Sequence, residues 1–371
     1  MSPDPYDHRG SLSTGRLIGW ALSGLRLYQN AKAWQRGDAQ EERIDDSLRT
    51  VKEAKAFLTD PTPSGLLGDA RLGTLEDAGQ ASMLNPSGFY LGALDGVPLF
   101  YTGGAHLLTY ARTGSGKGRD VILPNMAHIS RESLLVVDVK DGENAYASAR
   151  HRARTLGHQV VFINPWNLHS APNTRLNPLA RLVRLALAGE RVELAAREIA
   201  QILIPSPKKA SDSAWVSLGG QRHLAARMTF LAYYRPEACR LSSLWTFVNQ
   251  GQDGLLADLG DMMLCDRPTI SGQASAMFSL VNDAPKQWEA YRSEMQTAVD
   301  AYEPGSELEA ATMADDFDLG QLKERPCTVY LMVPSEKLGV ASQWISLLTN
   351  HAIETIAAKP GPVRTLFLLD E

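Results

Sequence analysis

The 371-residue chain holds three cysteines, Cys239, Cys265 and Cys327, far apart and odd in number. That pattern excludes a disulfide framework and a zinc site built from closely spaced cysteines. Long apolar runs are also missing. The most apolar N-terminal stretch, Leu17–Leu27, is short and carries Arg26, whereas a membrane span needs about 20 consecutive apolar residues. Its apolar positions Leu17, Ala21, Leu25 and Tyr28 share one helical face. They predict an amphipathic helix that packs on protein, with a membrane surface as the alternative. Positive charge is not in excess either: the net charge is −5, so any nucleic-acid contact has to come from local patches or from assembly. There is no secretory signal, internal repeat or low-complexity tract. No nucleophile–base pair argues for covalent catalysis, and His106 and His128 are isolated and read as structural.

What is present is a hydrophobic fraction of 44%, ample for a packed core, and one informative loop. Ala111-Arg112-Thr113-Gly114-Ser115-Gly116-Lys117-Gly118 reads as a phosphate-binding loop. The apolar stretch His106–Tyr110 before it predicts a strand, and Arg119–His128 after it predicts a helix. Such a turn points backbone N–H groups at an anion, and the helix N-terminus adds partial positive charge. Thr113, Gly114, Ser115, Gly116, Lys117 and Gly118 are the candidate phosphate contacts, with Lys117 on the β- and γ-phosphates. The strict pattern wants Gly at Ala111 and a Mg²⁺-binding hydroxyl at Gly118; Ser115 or Thr113 is the candidate replacement.

The rest of the chain alternates and then changes character. Residues 1–60 are polar and helix-prone, and Pro61-Thr62-Pro63-Ser64-Gly65 marks a boundary. Phe89–Leu94 and Pro98–Tyr101 flank Asp95-Gly96, a hairpin signal. The run Ser133–Val139 and the segment Val160–Asn164 predict buried strands, with a helix over Glu143–Leu156 between them. This repetition predicts a parallel sheet with helices on its faces. From Leu179 to Asp315 the pattern is helical throughout, with stripes at Val192, Ala195, Ala196, Ile199, Ile202, Leu203 and at Met277, Leu280, Val281, Ala284, Trp288, Tyr291, Met295, read as core. Strand signals return at Thr328–Val333 and Arg364–Glu371, with a helix over Val340–Ala358. The fold class expected is α/β: one P-loop nucleotide-binding domain formed by residues 61–178 and 316–371, with an all-α domain, 179–315, inserted in it and a helical region, 1–60, before it.

Four apolar residues followed by Asp370-Glu371 read as the acidic partner of the loop. Asp370 is placed to hold Mg²⁺, and Glu371 to orient or deprotonate the attacking water. Asp138 also ends an apolar strand. With Lys140 it either lines the site or makes a structural ion pair. The basic run Arg150-His151-Arg152-Ala153-Arg154 reads as a solvated helix face, with DNA contact as the alternative. Lys208-Lys209 reads as solvent-exposed.

Taken together, the motifs resemble the coupling-protein ATPases of type IV secretion and conjugation, the TraG/TraD-like group. That family's loop often reads P-T-G-S-G-K-G, so Gly118 is a family trait and Arg112 stands for the usual proline. Ser133–Asn144 is similar to the family's strand followed by D-P-K-G-E, with Val139 for proline and an added Asp141. Asn164-Pro165, Asn177-Pro178-Leu179, Asp212 with Trp215, Asp316-Phe317-Asp318-Leu319, Leu322, Arg325-Pro326 and Thr328–Pro334 follow in the family's order, and Leu368–Glu371 closes the series. The resemblance covers roughly residues 65–371. It implies a RecA-like motor domain with an all-helical insertion, ring assembly as a hexamer, and ATP with Mg²⁺ as cofactors. It also implies a place on the cytoplasmic face of the bacterial inner membrane, and delivery of single-stranded DNA with its relaxase, or of protein effectors, to the type IV secretion channel. Family members carry N-terminal transmembrane helices and continue past the acidic strand. The expectation is therefore a C-terminally incomplete chain that is cytoplasmic or peripheral. A non-hydrolysing docking module and a different P-loop DNA translocase are the alternative readings.

Overall fold

The computed structural model describes residues 51–52, 71–207 and 214–370. The expected helix over Leu17–Leu27, the boundary at Pro61–Gly65, Lys208, Lys209, Asp212 and Glu371 lie outside the described residues. The chain divides into two compact units, Met1–Thr74 and Leu75–Glu371. The strands and helices described here all belong to the second.

Helix α1 (Leu75–Gln80) precedes a hairpin of strands β1 (Phe89–Leu94) and β2 (Val97–Tyr101). Asp95 and Gly96 turn it with φ of 50° and 80°, the left-handed pair that a tight two-residue turn requires. The larger sheet is parallel. It comprises β3 (Ser133–Asp138), β4 (Gln159–Ile163), β5 (Cys327–Met332) and β6 (Thr365–Asp370), in the order β4-β5-β3-β6. β3 and β5 are buried at every position, which is why both read as unbroken apolar runs rather than alternating ones. Their alternate side chains feed two cores. Leu134, Val136, Tyr330 and Met332 pack with Met126 and Ala145, from helices α2 (Leu123–His128) and α3 (Glu143–Arg154). Leu135, Val137, Val329 and Leu331 pack on the other face with Trp344 and Leu347 of α12 (Leu338–Ala358).

Between β4 and β5 the chain runs through helices α4 (Ala180–Leu187), α5 (Glu193–Leu203), α6 (Ala214–Tyr234), α7 (Leu241–Asn249), α8 (Gln252–Met263), α9 (Pro268–Asp283), α10 (Pro285–Val299) and α11 (Glu307–Thr312). The central one is α6, apolar on most of its circumference and buried over most of Ser217–Ala232, as a helix surrounded by others must be. A Cβ on Gly219 would run into the Tyr291 ring, so the glycine sets how closely α6 and α10 pack. Of the two expected core stripes, Val192, Ala195, Ala196, Ile199 and Leu203, and Met277, Val281, Trp288, Tyr291 and Met295, are buried. The second stripe spans two helices, because Pro285 starts α10 directly after α9.

One expected element is absent. His106–Tyr110 is not a strand; it is irregular, with Leu108 and Tyr110 92% and 96% exposed. Apolar composition alone does not make a strand. The backbone also needs a neighbouring edge to bond, and no described strand pairs with this segment.

Three buried imidazoles link this packing to pH. Burial pushes His223 down to about 4 and His351 down to about 3, and lowers His158. In each case the native state favours the neutral ring. The unfolded chain therefore binds more protons as pH falls below the ordinary histidine value of about 6.5, and stability drops with it. The urea midpoint is expected to fall between about pH 7 and pH 5, and His351→Leu to make that fall shallower; an equally steep fall in the variant would contradict the assignment.

Candidate functional site

The loop Ala111–Gly118 leads into a π-helical turn, Gly118–Ile122, which continues as α2. Gly114 and Gly116 have φ of 77° and 90°, a conformation that side chains with a Cβ adopt only under strain. The Ser115 N–H bonds the Arg112 carbonyl, and Asp120 N–H bonds Gly116. Among the described residues the N–H groups of Gly114, Gly116 and Lys117 bond no backbone carbonyl. Lys117 Nζ folds back on the carbonyls of Ala111, at 2.9 Å, and Arg112, at 3.5 Å. Thr113 and Ser115 are exposed and Gly118 half-buried. The loop thus offers a cradle of glycine N–H groups beside one ammonium, a donor set that suits phosphate oxygens.

The second half of the site is at the C-terminal ends of adjacent strands. Asp138 and Asp370 are register partners at the tips of β3 and β6, both buried. The Asn144 side-chain amide stands between them, 3.4 Å from Asp138 Oδ1 and 3.2 Å from Asp370 Oδ2. Asp138 also accepts the Ala145 N–H at 2.8 Å. Lys140 Nζ lies 3.4 Å from Asp370 Oδ1. Lys140 therefore pairs with Asp370 rather than with Asp138. Burial, with the Asp370 charge adding to it, pushes the Asp138 carboxyl up to about 6, against the pull of its backbone donors. Two oxygen-donor groups fit Mg²⁺, which binds one or two carboxylates and completes its octahedron with water and phosphate. Among the described residues no three His, Cys, Asp or Glu side chains group as a metal cage.

So Asp138, Lys140 and Asp370 come together, and Thr113–Gly118 form a separate group. No hydrogen bond or ion pair among the described residues joins the two. Glu371 lies outside the described residues.

Three participants were not legible as such in the sequence. Asn144 is the first; its signal was only a position in the opening turn of the helix after Asp138. The others are Arg152 and His158. The basic run was expected to be a solvated face, and for Arg152 that is wrong. It is fully buried, because it shares the helical face of Ala145 and Ser148 at i+7 and i+4. Its guanidinium donates to the carbonyls of Met126 and Ile129, the latter at 3.0 Å, and to Thr328 Oγ1 at 2.6 Å. Nη2 lies 3.0 Å from His158 Nδ1. His158 Nε2 then reaches the Ser130 carbonyl at 2.9 Å. These bonds fix His158 as the neutral ring protonated on Nε2. The C-terminal end of the helix that begins at the glycine loop is thereby tied to central strand β5. Of the rest of the run, Arg150 and Arg154 are exposed, and His151 is half-buried with Nε2 3.1 Å from the Ala127 carbonyl.

Comparison with known proteins agrees with the family pattern in the motifs. The family model described as type IV secretory system conjugative DNA transfer matches residues 72–371. No curated protein matches. Among solved structures, the unbound monoclinic form of the bacterial conjugative coupling protein TrwBdeltaN70 aligns at 15% identity and a TM-score of 0.49, over 75% of this chain and 58% of that one. The plasmid coupling protein TrwB in complex with ADP and Mg²⁺ aligns at 14% identity and 0.43, over 81% and 63%. TrwB in complex with the GTP analogue GDPNP gives 14% and 0.39, over 67% and 57%. The chain thus spans about three fifths of the length of these structures.

Replacing Arg152 by Met would leave several buried acceptors unpaired at once. Each costs about 1–3 kcal/mol, so Arg152→Met is expected to lower the unfolding free energy by about 3 kcal/mol or more in urea titrations. Arg152→Lys should recover only part of that, since an ammonium cannot reproduce the planar fork. A loss under about 1 kcal/mol in Arg152→Met would show that the network does not hold the helix end.

Proposed function

The chain belongs to the type IV secretory system conjugative DNA transfer family, and from that premise we propose that it is a nucleotide-dependent coupling ATPase. In this reading it recruits single-stranded DNA with its relaxase, or a protein effector, to a secretion channel and powers the transfer. The observation that carries the reading is the pairing of a positive-φ glycine loop and Lys117 with two buried carboxylates at the C-terminal edge of a parallel sheet, where open α/β folds bind their ligands. We assign residues 61–178 and 316–371 to a RecA-like domain and 179–315 to an inserted helical one.

The roles follow from the donor sets. The N–H groups along Gly114–Gly118 cradle phosphate oxygens, that of Ser115 once it leaves the Arg112 carbonyl, and Lys117 neutralises their charge. Thr113 and Ser115 are the hydroxyls available to a metal. Asp370 holds Mg²⁺, with Asn144 and Lys140 fixing its carboxylate. Asp138 and Lys140 complete the polar edge. Glu371 positions the attacking water. Bound Mg²⁺ supplies charge stabilisation at the phosphates.

Hexameric assembly and a peripheral position on the cytoplasmic face of the inner membrane belong to the same proposal. No helix among the described residues is long and apolar enough to cross a membrane.

Lys117→Ala is expected to abolish ATP binding in equilibrium titrations, and Glu371→Gln to keep binding while stopping turnover. Wild-type-like hydrolysis by Lys117→Ala would overturn the scheme. If the unaltered chain binds ATP but hydrolyses none at any protein or DNA concentration, the docking-module reading takes its place.

A further inference from the structure

The carboxylates that end β3 and β6 are fully engaged by the protein itself. Asp138 Oδ1 and Asp370 Oδ2 share the Asn144 amide, and Asp138 Oδ2 accepts the Ala145 N–H. Asp370 Oδ1 faces the Lys140 ammonium at 3.4 Å. Each of the four oxygens thus has a protein donor. A divalent cation on Asp370 has to share an oxygen with one of these donors, and the donors are not alike.

Asn144 is neutral and fixed. It is buried in the opening turn of α3. Its carbonyl accepts the Ser148 hydroxyl at 2.6 Å, and Ser148 meets the Tyr330 hydroxyl of β5 at 2.7 Å. Lys140 differs in three respects. It stands between β3 and α3 and belongs to neither. Its side chain is 37% exposed, against 6% for Asp370, so it reaches the carboxylate from the solvent side on a flexible four-carbon stem. It also carries a full charge. An ammonium and a divalent cation on one buried carboxylate oxygen repel strongly at such short range, whereas a neutral amide repels the cation far less. Lys140 is therefore the donor that yields.

The displaced charge then needs a new partner. The next carboxylate along the loop, Asp141, accepts the Ser335 N–H at 3.0 Å and the Ser335 hydroxyl at 3.1 Å. Glu143 is exposed, where salt screens it. The anion that the nucleotide reading brings beside Asp370 is a polyphosphate, whose oxygens take an ammonium as a point charge. We propose that Lys140 is a stand-in for the metal: it neutralises Asp370 before ligands bind, and passes to a phosphate oxygen when metal and polyphosphate enter together. The role rests on the nucleotide reading and gives that site a regulatory property. Metal without polyphosphate strands the ammonium, and metal with polyphosphate leaves it paired. Each ligand thus favours the other through Lys140, and the coupling is reciprocal. Free divalent cation alone is held off.

The test uses Mn²⁺ as the probe, because electron paramagnetic resonance counts the free ion directly. In the intact chain without nucleotide, Lys140→Met is expected to bind Mn²⁺ about tenfold more tightly, through loss of one charged competitor. Lys140→Arg is expected to bind it no more tightly than the unaltered chain. Urea midpoints confirm that both variants fold. A second arm follows the ammonium itself in the unaltered chain, so it stands whether or not a variant folds. Acetylation of Lys140 by acetic anhydride, read by mass spectrometry against the exposed Lys337, is expected to rise with Mn²⁺ alone and to fall again when ADP accompanies the metal. Unchanged, weaker or no Mn²⁺ binding in folded Lys140→Met overturns the proposal, and so does Lys140 labelling that ignores the metal. Labelling that stays high with metal and ADP together shows that the ammonium does not pass to phosphate, and the coupling fails. The metal arms need no nucleotide. Tighter Mn²⁺ binding in Lys140→Met by a chain that binds no ADP would therefore support the stand-in while refuting the nucleotide reading and the coupling with it.

Discussion

Burial of β3 and β5 on both faces is the constraint from which the polar architecture follows. A strand covered by α2 and α3 on one side and by α12 on the other has no tolerance for an ionised group along its length. Charge can appear only where the strand ends and the covering helices part. Asp138 and Asp370 sit at that edge, on neighbouring strands and in register. Their proximity is a consequence of pairing two apolar runs that each terminate in aspartate. Burial, with the neighbouring Asp370 charge adding to it, raises the Asp138 carboxyl to about 6, a cost the fold accepts at this end of the sheet.

The opposite charge is handled without a counter-ion. Arg152 is fully buried, and its bonds go to carbonyls, a hydroxyl and an imidazole rather than to a carboxylate. Carbonyls at the end of α2 carry the partial negative charge of the helix terminus, so the guanidinium is neutralised locally while it anchors that terminus to Thr328. The same helix begins at the glycine loop. Its far end is fastened by these bonds, and its near end leads out of the loop in which Thr113 and Ser115 are exposed.

Elements whose information is local were legible in the sequence. The hairpin at Asp95-Gly96, the buried strand over Ser133–Asp138, the half-buried one over Gln159–Ile163 and the helices expected over Glu143–Leu156 and Val340–Ala358, found at Glu143–Arg154 and Leu338–Ala358, all follow from turn chemistry and hydrophobic period. So do the buried stripes around Val192 and Trp288. What was not legible depends on partners distant in sequence. His106–Tyr110 has the composition of a strand but no described edge to join. Arg152 looks like its exposed neighbours Arg150 and Arg154 until the helix is rotated against the sheet. The Asn144 bridge needs both Asp138 and Asp370, which are more than two hundred residues apart in sequence. Loop, lysine and carboxylates were each identifiable as candidates, whereas their division into two groups was not.

That division has an energetic reading. Lys117 satisfies itself on the carbonyls of Ala111 and Arg112, so any anion entering the loop has to displace those bonds. Bonds of an ammonium to a neutral carbonyl contribute on the order of 1.5–3 kcal/mol net. Bonds between an ammonium and a phosphate oxygen are stronger still, because both partners are charged, and the loop's unbonded N–H groups add to the gain. In the proposed reading the exchange runs toward the phosphate. A cation that neutralises Asp138 and Asp370 relieves the second strained group in the same step. In the proposed reading, each half of the site is held in a compromise that a metal-bound polyphosphate would resolve.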